Sequence, residues 1–107
     1  VKRGDIVRAA PPGEFDKPRP ALVIQAFLDD PPERVTLALI TGSLLRNPLF
    51  RVPVEPTAQN GLIKSSEVAV DNIQTLSIRK IGDVIGTLEP ETMLEVEELL
   101  RRHLGLF

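Results

Sequence analysis

The sequence predicts a mainly β domain, a small antiparallel barrel or curled sheet with one C-terminal helix laid on it. Short stretches rich in β-branched residues recur between Ile6 and Leu88, parted by Pro, Gly, Asp and Asn, which is the pattern of many short strands joined by turns. The run from Ala21 to Phe27 is almost continuously apolar, as a strand covered on both faces must be. From Pro90 onward the apolar period lengthens to three and four residues, the signature of an amphipathic helix.

Length and composition bound what such a domain can do. At 107 residues the chain fits one domain, with roughly two-thirds of its unfolded surface available for burial. It has no cysteine, so disulfides, thiolate metal sites and cysteine nucleophiles are excluded. No apolar run approaches the length of a membrane span and no charged-then-apolar leader opens the chain, so the expectation is a soluble, cytoplasmic protein without a membrane partner. Net charge is −2, but it is unevenly spread: residues 1–82 carry 11 Lys and Arg against 9 Asp and Glu, and residues 83–107 carry 2 against 6. A mildly basic body with an acidic tail leaves a polyanionic partner open.

In chain order, Gly4-Asp5 leads into a short strand, Ile6 to Ala9. Residues 10–20 hold too many prolines and a glycine for regular structure and read as a long loop, a kind of segment that often carries function. Within it, Lys17-Pro18-Arg19-Pro20 stands out. The two prolines hold the backbone extended, so Lys17 and Arg19 are presented at a strand entrance with little freedom to lose on gripping an anion. The strand Ala21 to Phe27 follows, then a turn at Asp29 to Glu33 and a third strand, Arg34 to Ile40. It stops at Thr41-Gly42-Ser43, two hydroxyls around a glycine. Phe50 to Val54 is a fourth strand, and Pro53 confines it to an edge or a bulge. A loop over Glu55 to Gly61 ends on Asn60-Gly61, a pair suited to positive φ. Two more short strands are expected, Glu67 to Val70 and Ile73 to Ile78, with a turn at Asp71-Asn72. Arg79 to Asp83 bends the chain before Val84 to Leu88.

The helix is expected over Pro90 to His103. Proline suits its first position, Glu91 its positive end and Arg101 and Arg102 its negative end, with Gly105 as the left-handed stop. Met93, Val96, Leu99, Leu100 and His103 form one stripe, which makes His103 a core or interface residue rather than a catalytic one.

No phosphate-cradling glycine motif, His/Cys zinc cluster or Ser-His-Asp arrangement is present, so neither metal nor cofactor is expected. What remains is polar chemistry at loop and strand ends: Glu14, Lys17, Arg19, Thr41 and Ser43. Such groups suit attack of a ribose 2′-hydroxyl on its neighbouring phosphate, which needs a proton acceptor, a donor for the leaving 5′-oxygen and cover for charge on the phosphoryl oxygens. Arginine stays protonated and can clamp those oxygens, while hydroxyls can donate to them. Each group also has a plainer reading: Arg19 as a solvated edge cation, Thr41 and Ser43 as a strand-ending turn, Glu14 as a loop carboxylate.

The motifs Lys2-Arg3-Gly4-Asp5-Ile6-Val7, Lys17-Pro18-Arg19-Pro20-Ala21-Leu22-Val23-Ile24-Gln25, Leu39-Ile40-Thr41-Gly42-Ser43, Pro48-Leu49-Phe50-Arg51-Val52, Asn60-Gly61-Leu62-Ile63-Lys64-Ser65-Ser66, Val70-Asp71-Asn72-Ile73-Gln74-Thr75-Leu76 and Ile85-Gly86-Thr87-Leu88 occur in this order. Together they resemble the MazF/PemK toxin family almost end to end. The resemblance implies an SH3-like PemK/CcdB-type barrel, a homodimer, a cognate antitoxin partner and metal-independent cleavage of single-stranded RNA. It places the catalytic pair on Arg19 and Thr41, with Glu14 as the accompanying carboxylate, and substrate contacts on Lys17, Ser43, Arg46, Lys64, Asn72 and Gln74. Two departures accompany it: only Gly13-Glu14 stands where many relatives have Gly-Ser-Glu-Gln, and Asn72-Ile73-Gln74 replaces a basic residue with amides. The same fold also serves gyrase poisons of the CcdB type, which act by gripping a protein, and inert binding modules, so fold alone does not select among them.

Overall fold

The computed structural model describes residues 1–12, 17–26 and 30–106. Glu14, the expected strand end at Phe27, and Phe107 lie outside them. Six strands form one antiparallel sheet: β1 Asp5–Ala9, β2 Arg19–Val23, β3 Arg34–Thr41, β4 Arg51–Val54, β5 Ser66–Ser77 and β6 Ile81–Thr87, followed by helix α1 over Pro90–Leu104. Their order across the sheet is β4-β5-β3-β2-β1-β6. The two outer strands do not pair with each other, so the expected barrel is a curled open sheet. β4 is ill suited to close it, being four residues long with Pro53 lacking a ladder donor.

Alternation along the strands sorts apolar side chains into two clusters. Ile6, Leu22, Ala38, Ile40, Val52 and Val68 pack with Met93 and Val96 of α1 on one face. Val7, Ala21, Val23, Val35, Leu37 and Leu39 make the other. Ala21, Leu22 and Val23 are all fully buried, so the strand with a continuous apolar run is covered on both sides, as its sequence requires.

Several strand boundaries differ from expectation. β2 ends at Val23, well before Phe27, since beyond it the Gln25 side chain rather than the backbone takes the Thr36 N–H at 2.9 Å. β6 starts at Ile81, inside the expected bend, because Ile81 pairs with Ala9 of β1. β2 begins at Arg19 rather than Ala21, because Pro20 and Arg19 pair with Arg8 and Ala9 of β1. Pro20 is tolerated because β2 pairs with β1 alone at this point, its pairs with β3 beginning only at Ala21↔Leu39, so a missing N–H on the β3 side breaks no ladder bond. β5 is one long strand where two were expected. Its pairing with β3 slips between Ala38↔Ile73 and Ile40↔Val68, so five steps on β5 oppose two on β3. The surplus forms a bulge, and Asp71-Asn72 lies in it. The strand does not break there because Ala69 pairs with Arg51 of β4 on the other side.

The helix ends where expected. Gly105 takes φ 70°, and the Leu106 N–H reaches back to the Arg101 carbonyl at 2.7 Å, a left-handed stop of the Schellman kind. His103 is exposed and meets the Phe50 ring edge-on at 6.1 Å; the stripe has run past the sheet at this turn, so His103 is no core residue. Among the described residues no helix is long and apolar enough to cross a membrane. At the helix entrance the 57–61 turn is knotted to β6. The Asn60 amide is fully buried and bonds the Thr57 and Leu62 N–H groups, the Glu55 carbonyl and the Glu89 carboxylate. Gly61 supplies the left-handed φ of 71°.

Candidate active site

Strand register assembles the candidate site. β2 and β3 pair Val23↔Leu37, Leu22↔Ala38 and Ala21↔Leu39. Carrying the same register two residues further sets Arg19 opposite Thr41, and alternation sends both side chains to one face. On β3's other side Thr41 pairs with Glu67 of β5, and beyond it Ala69 pairs with Arg51 of β4. The row thus runs Arg19, Thr41, Glu67 and, on β4, Pro53, and Arg51 lies on the same face two residues along β4. A cavity of about 240 Å³ opens at this row, lined by Arg19, Thr41, Arg51, Asp71 and Asn72 together with Leu39, Ile40 and Ala69.

The Thr41 hydroxyl does what a strand-ending threonine does: its oxygen accepts from the Ser43 N–H at 3.0 Å. That bond occupies a lone pair and leaves the hydroxyl proton available to donate. The strand-ending and chemical readings of Thr41 are therefore compatible.

Glu67 does not line this cavity but holds Arg51, which does. Only 3% exposed, its carboxylate accepts from the Leu45 N–H at 2.9 Å, the Arg46 N–H at 3.0 Å and Arg51 Nη1 at 3.0 Å. Burial by itself pushes the Glu67 carboxyl up; the two backbone donors and the guanidinium outweigh it and hold the group below the ordinary carboxylate value. Arg51 Nη1 also donates to the Ser43 carbonyl at 3.1 Å. The Glu67–Arg51 pair thus grips the 43–46 segment at three backbone points. Arg46 sits in it with φ 58°, a left-handed conformation that a non-glycine residue keeps only when its surroundings impose it.

The structure brings together some of the expected residues and separates others. Arg19, Thr41 and Asn72 line the same cavity, and Ser43 is bonded to Thr41 at its rim. Gln74 donates to the Asn72 side chain at 3.0 Å, so it acts on the cavity through Asn72. Arg46 and Lys64 do not line it. Arg46 faces a neighbouring hollow with Asn47, Pro48 and Pro53. Lys64 lies across Gly42, so close that a Cβ on that glycine would sit 2.3 Å from its Cε, and lines an apolar groove on the opposite side of β2 with Pro18, Pro20 and Ile63. Lys17 is exposed two residues before Arg19. Among the described residues no three His, Asp or Glu side chains gather as a metal-binding group. Arg51 and Asp71 line the cavity without having been expected there. The burial of Val52 and Val54 signals only that Arg51 faces the other way; its place in the cavity follows from the pairing with Ala69.

The chain is similar to known proteins over nearly its whole length. A "Probable endoribonuclease MazF" of Mycolicibacterium smegmatis is 34% identical over 107 residues, covering 99% of this chain and 98% of that protein. The solved structure of Mycobacterium tuberculosis toxin MazF-mt6 superposes with a TM-score of 0.81 at 31% identity, over 96% of this chain and 98% of the other. A mycobacterial endoribonuclease solved in complex with its cognate antitoxin shares the fold at a TM-score of 0.81 and 24% identity, over 100% and 97% of the two chains. Residues 2–104 match the PemK-like, MazF-like toxins of type II toxin–antitoxin systems, and the chain belongs to that family.

Proposed function

We propose that this protein is the toxin of a type II toxin–antitoxin module, an endoribonuclease that cleaves single-stranded RNA, messenger RNA included, without a metal. The observation that carries the reading is that Arg19 at the start of β2 and Thr41 at the end of β3 line one cavity. In this reading the 2′-hydroxyl of one ribose loses its proton to a base and attacks the adjacent phosphorus. A 2′,3′-cyclic phosphate forms, and the bond to the 5′-oxygen of the next nucleotide breaks as that oxygen takes up a proton. Arg19 clamps the phosphoryl oxygens as charge builds on them, Thr41 donates its free hydroxyl proton to them, and Glu14 is assigned as the base. The work is done in the cytoplasm, where messenger RNA is found.

Two partners belong to this reading. Leu44, Leu45, Leu49, Leu94 and Leu104 are large apolar side chains left exposed, which supports a homodimer; a sedimentation run giving a monomer at micromolar concentration contradicts it. An acidic antitoxin segment is assigned to the basic positions Lys17, Arg19 and Arg46, and neutralisation that survives removal of all three charges places its site elsewhere.

The direct test is incubation of purified protein with long single-stranded RNA in excess EDTA. Fragments ending in a 2′,3′-cyclic phosphate and a 5′-hydroxyl are expected, and they should vanish in Arg19→Ala. Intact RNA together with inhibition of DNA gyrase overturns the reading in favour of a CcdB-like poison.

A further inference from the structure

Arg51 shares the cavity with Arg19 and Thr41, yet the reaction as described gives it no task. Its guanidinium is used unevenly. Nη1 is occupied, donating to Glu67 Oε1 at 3.0 Å and to the Ser43 carbonyl at 3.1 Å. Nε is buried and has no hydrogen-bond acceptor among the described residues. Asp71 Oδ1 stands 3.6 Å from it, too far for a hydrogen bond. Buried N–H groups are almost always paired, so one left open beside a cavity asks for a reason. A purely structural arginine would need only the Nη1 edge; the open Nε edge is the one that matches an incoming oxyanion.

The geometry points to Arg51 as a phosphate-contacting residue of this site, with its Nε edge donating to an oxygen of the RNA backbone and Glu67 as the positioning residue that aims it. The assignment rests on the RNA-cleaving reading above. Glu67 is suited to the role because its own orientation is set by the Leu45 and Arg46 N–H groups, so the guanidinium plane is fixed before substrate arrives. Asp71, with its side chain 38% exposed, can turn into water as a phosphate takes its place. Arg19 of β2 and Arg51 of β4 both line the cavity that Thr41 lines, so that negative charge developing on the phosphoryl oxygens meets two cations rather than one.

Two variants test this. Arg51→Lys keeps a cation beside Glu67 but has no Nε edge. Arg51→Gln with Glu67→Gln replaces the ion pair by a neutral pair of similar shape and leaves the net charge of the protein unchanged. Thermal melting checks folding, single-turnover cleavage of single-stranded RNA gives the rate, and binding of a mixed-sequence 2′-O-methyl RNA, which lacks the attacking hydroxyl, is followed against salt. For Arg51→Lys we expect cleavage slowed at least tenfold with little change in binding. For the double variant we expect a loss of about 100-fold in rate and a salt slope shallower by about 0.7, the share of one phosphate contact on a single strand. A structural arginine predicts an unchanged slope, since net charge is the same. Cleavage by Arg51→Lys within threefold of the parent overturns the assignment, and so does a folded double variant that keeps the parent slope. If the double variant does not fold, the lysine variant decides. A parent that neither binds nor cleaves RNA overturns the endoribonuclease reading and this assignment together; a parent that cleaves normally beside an indifferent Arg51 overturns this assignment alone.

Discussion

Replacing Arg19 by lysine separates a clamp from a mere positive charge. The backbone at this position is fixed by pairing with Ala9 of β1, and Arg19 and Thr41 line one cavity just beyond the last β2–β3 pair, Ala21↔Leu39. A phosphate straddling that pair can take two parallel hydrogen bonds from the guanidinium fork and one from the Thr41 hydroxyl. Lysine leaves the strand, the charge and the hydroxyl in place and removes only the fork. Arg19 is exposed, so the cost to stability should stay within about 0.5 kcal/mol, and binding to RNA should change little because the number of cations is kept. Loss of one donor aimed at a developing oxyanion is worth about 3 kcal/mol, or about two orders of magnitude in rate. The expected result is a folded dimer that binds RNA like the parent and cleaves it about 100-fold more slowly. Single-turnover cleavage at saturating enzyme measures this, and a lysine variant within about threefold of the parent, under ~1 kcal/mol, would refute the clamp.

Three further outcomes follow from the same geometry. Thr41→Val keeps the β-branched shape of the strand end but removes the hydroxyl; cleavage should fall about 100-fold for a stability cost of no more than about 1.5 kcal/mol, and Thr41→Ser should recover most of the rate, whereas equal rates in the two variants would leave Thr41 only its turn. Because the Glu67 carboxyl is held below its ordinary value in the folded protein, its contribution to stability is complete above the unfolded value near 4.5 and is lost as pH falls through the lower, folded one. Glu67→Gln should therefore flatten the acid side of a melting-temperature profile, and Glu67→Ala should cost about 3 kcal/mol, the low end for breaking a buried pair, since Arg51 retains some contact with water. Gly61→Ala should destabilise by at least about 2 kcal/mol, combining the left-handed φ with a Cβ that would lie 2.0 Å from the Ile85 carbonyl oxygen; a melting point equal to the parent's would mean that this turn relaxes freely.

Features fixed by neighbours in the chain were legible in the sequence. The helix start at Pro90, its stop at Gly105, the edge position that Pro53 imposes on β4 and the double-sided burial of β2 all follow from steric or periodic rules acting over a few residues. So does the strand end at Thr41, where the hydroxyl closes its own turn onto Ser43. Where the reading strayed, a distant strand had the deciding role. Asp71-Asn72 has the composition of a turn, but β3 and β4 hold the chain extended on either side of it, and the residues become a bulge whose side chains line the cavity.

Glu67 shows why half of the site could not be read locally. In Ser66-Glu67-Val68 it has the pattern of a carboxylate pointing from a sheet into water, and a buried carboxylate is expected only where partners are in view. Its partners are the N–H groups of Leu45 and Arg46, more than twenty residues earlier, and the guanidinium of Arg51 on another strand. The two backbone donors come from a segment that is bent into a left-handed conformation at Arg46, and that bend has no glycine or asparagine to announce it. Cause and effect are therefore circular in the sequence but ordered in the fold. The carboxylate is buried because the segment folds over it, the segment folds over it because the carboxylate satisfies two of its N–H groups, and the pairing of Arg51 with Ala69 brings the guanidinium to which both are tied. A constellation of this kind becomes visible only once strand register is known, whereas Arg19 and Thr41, each at the end of its own strand, mark themselves.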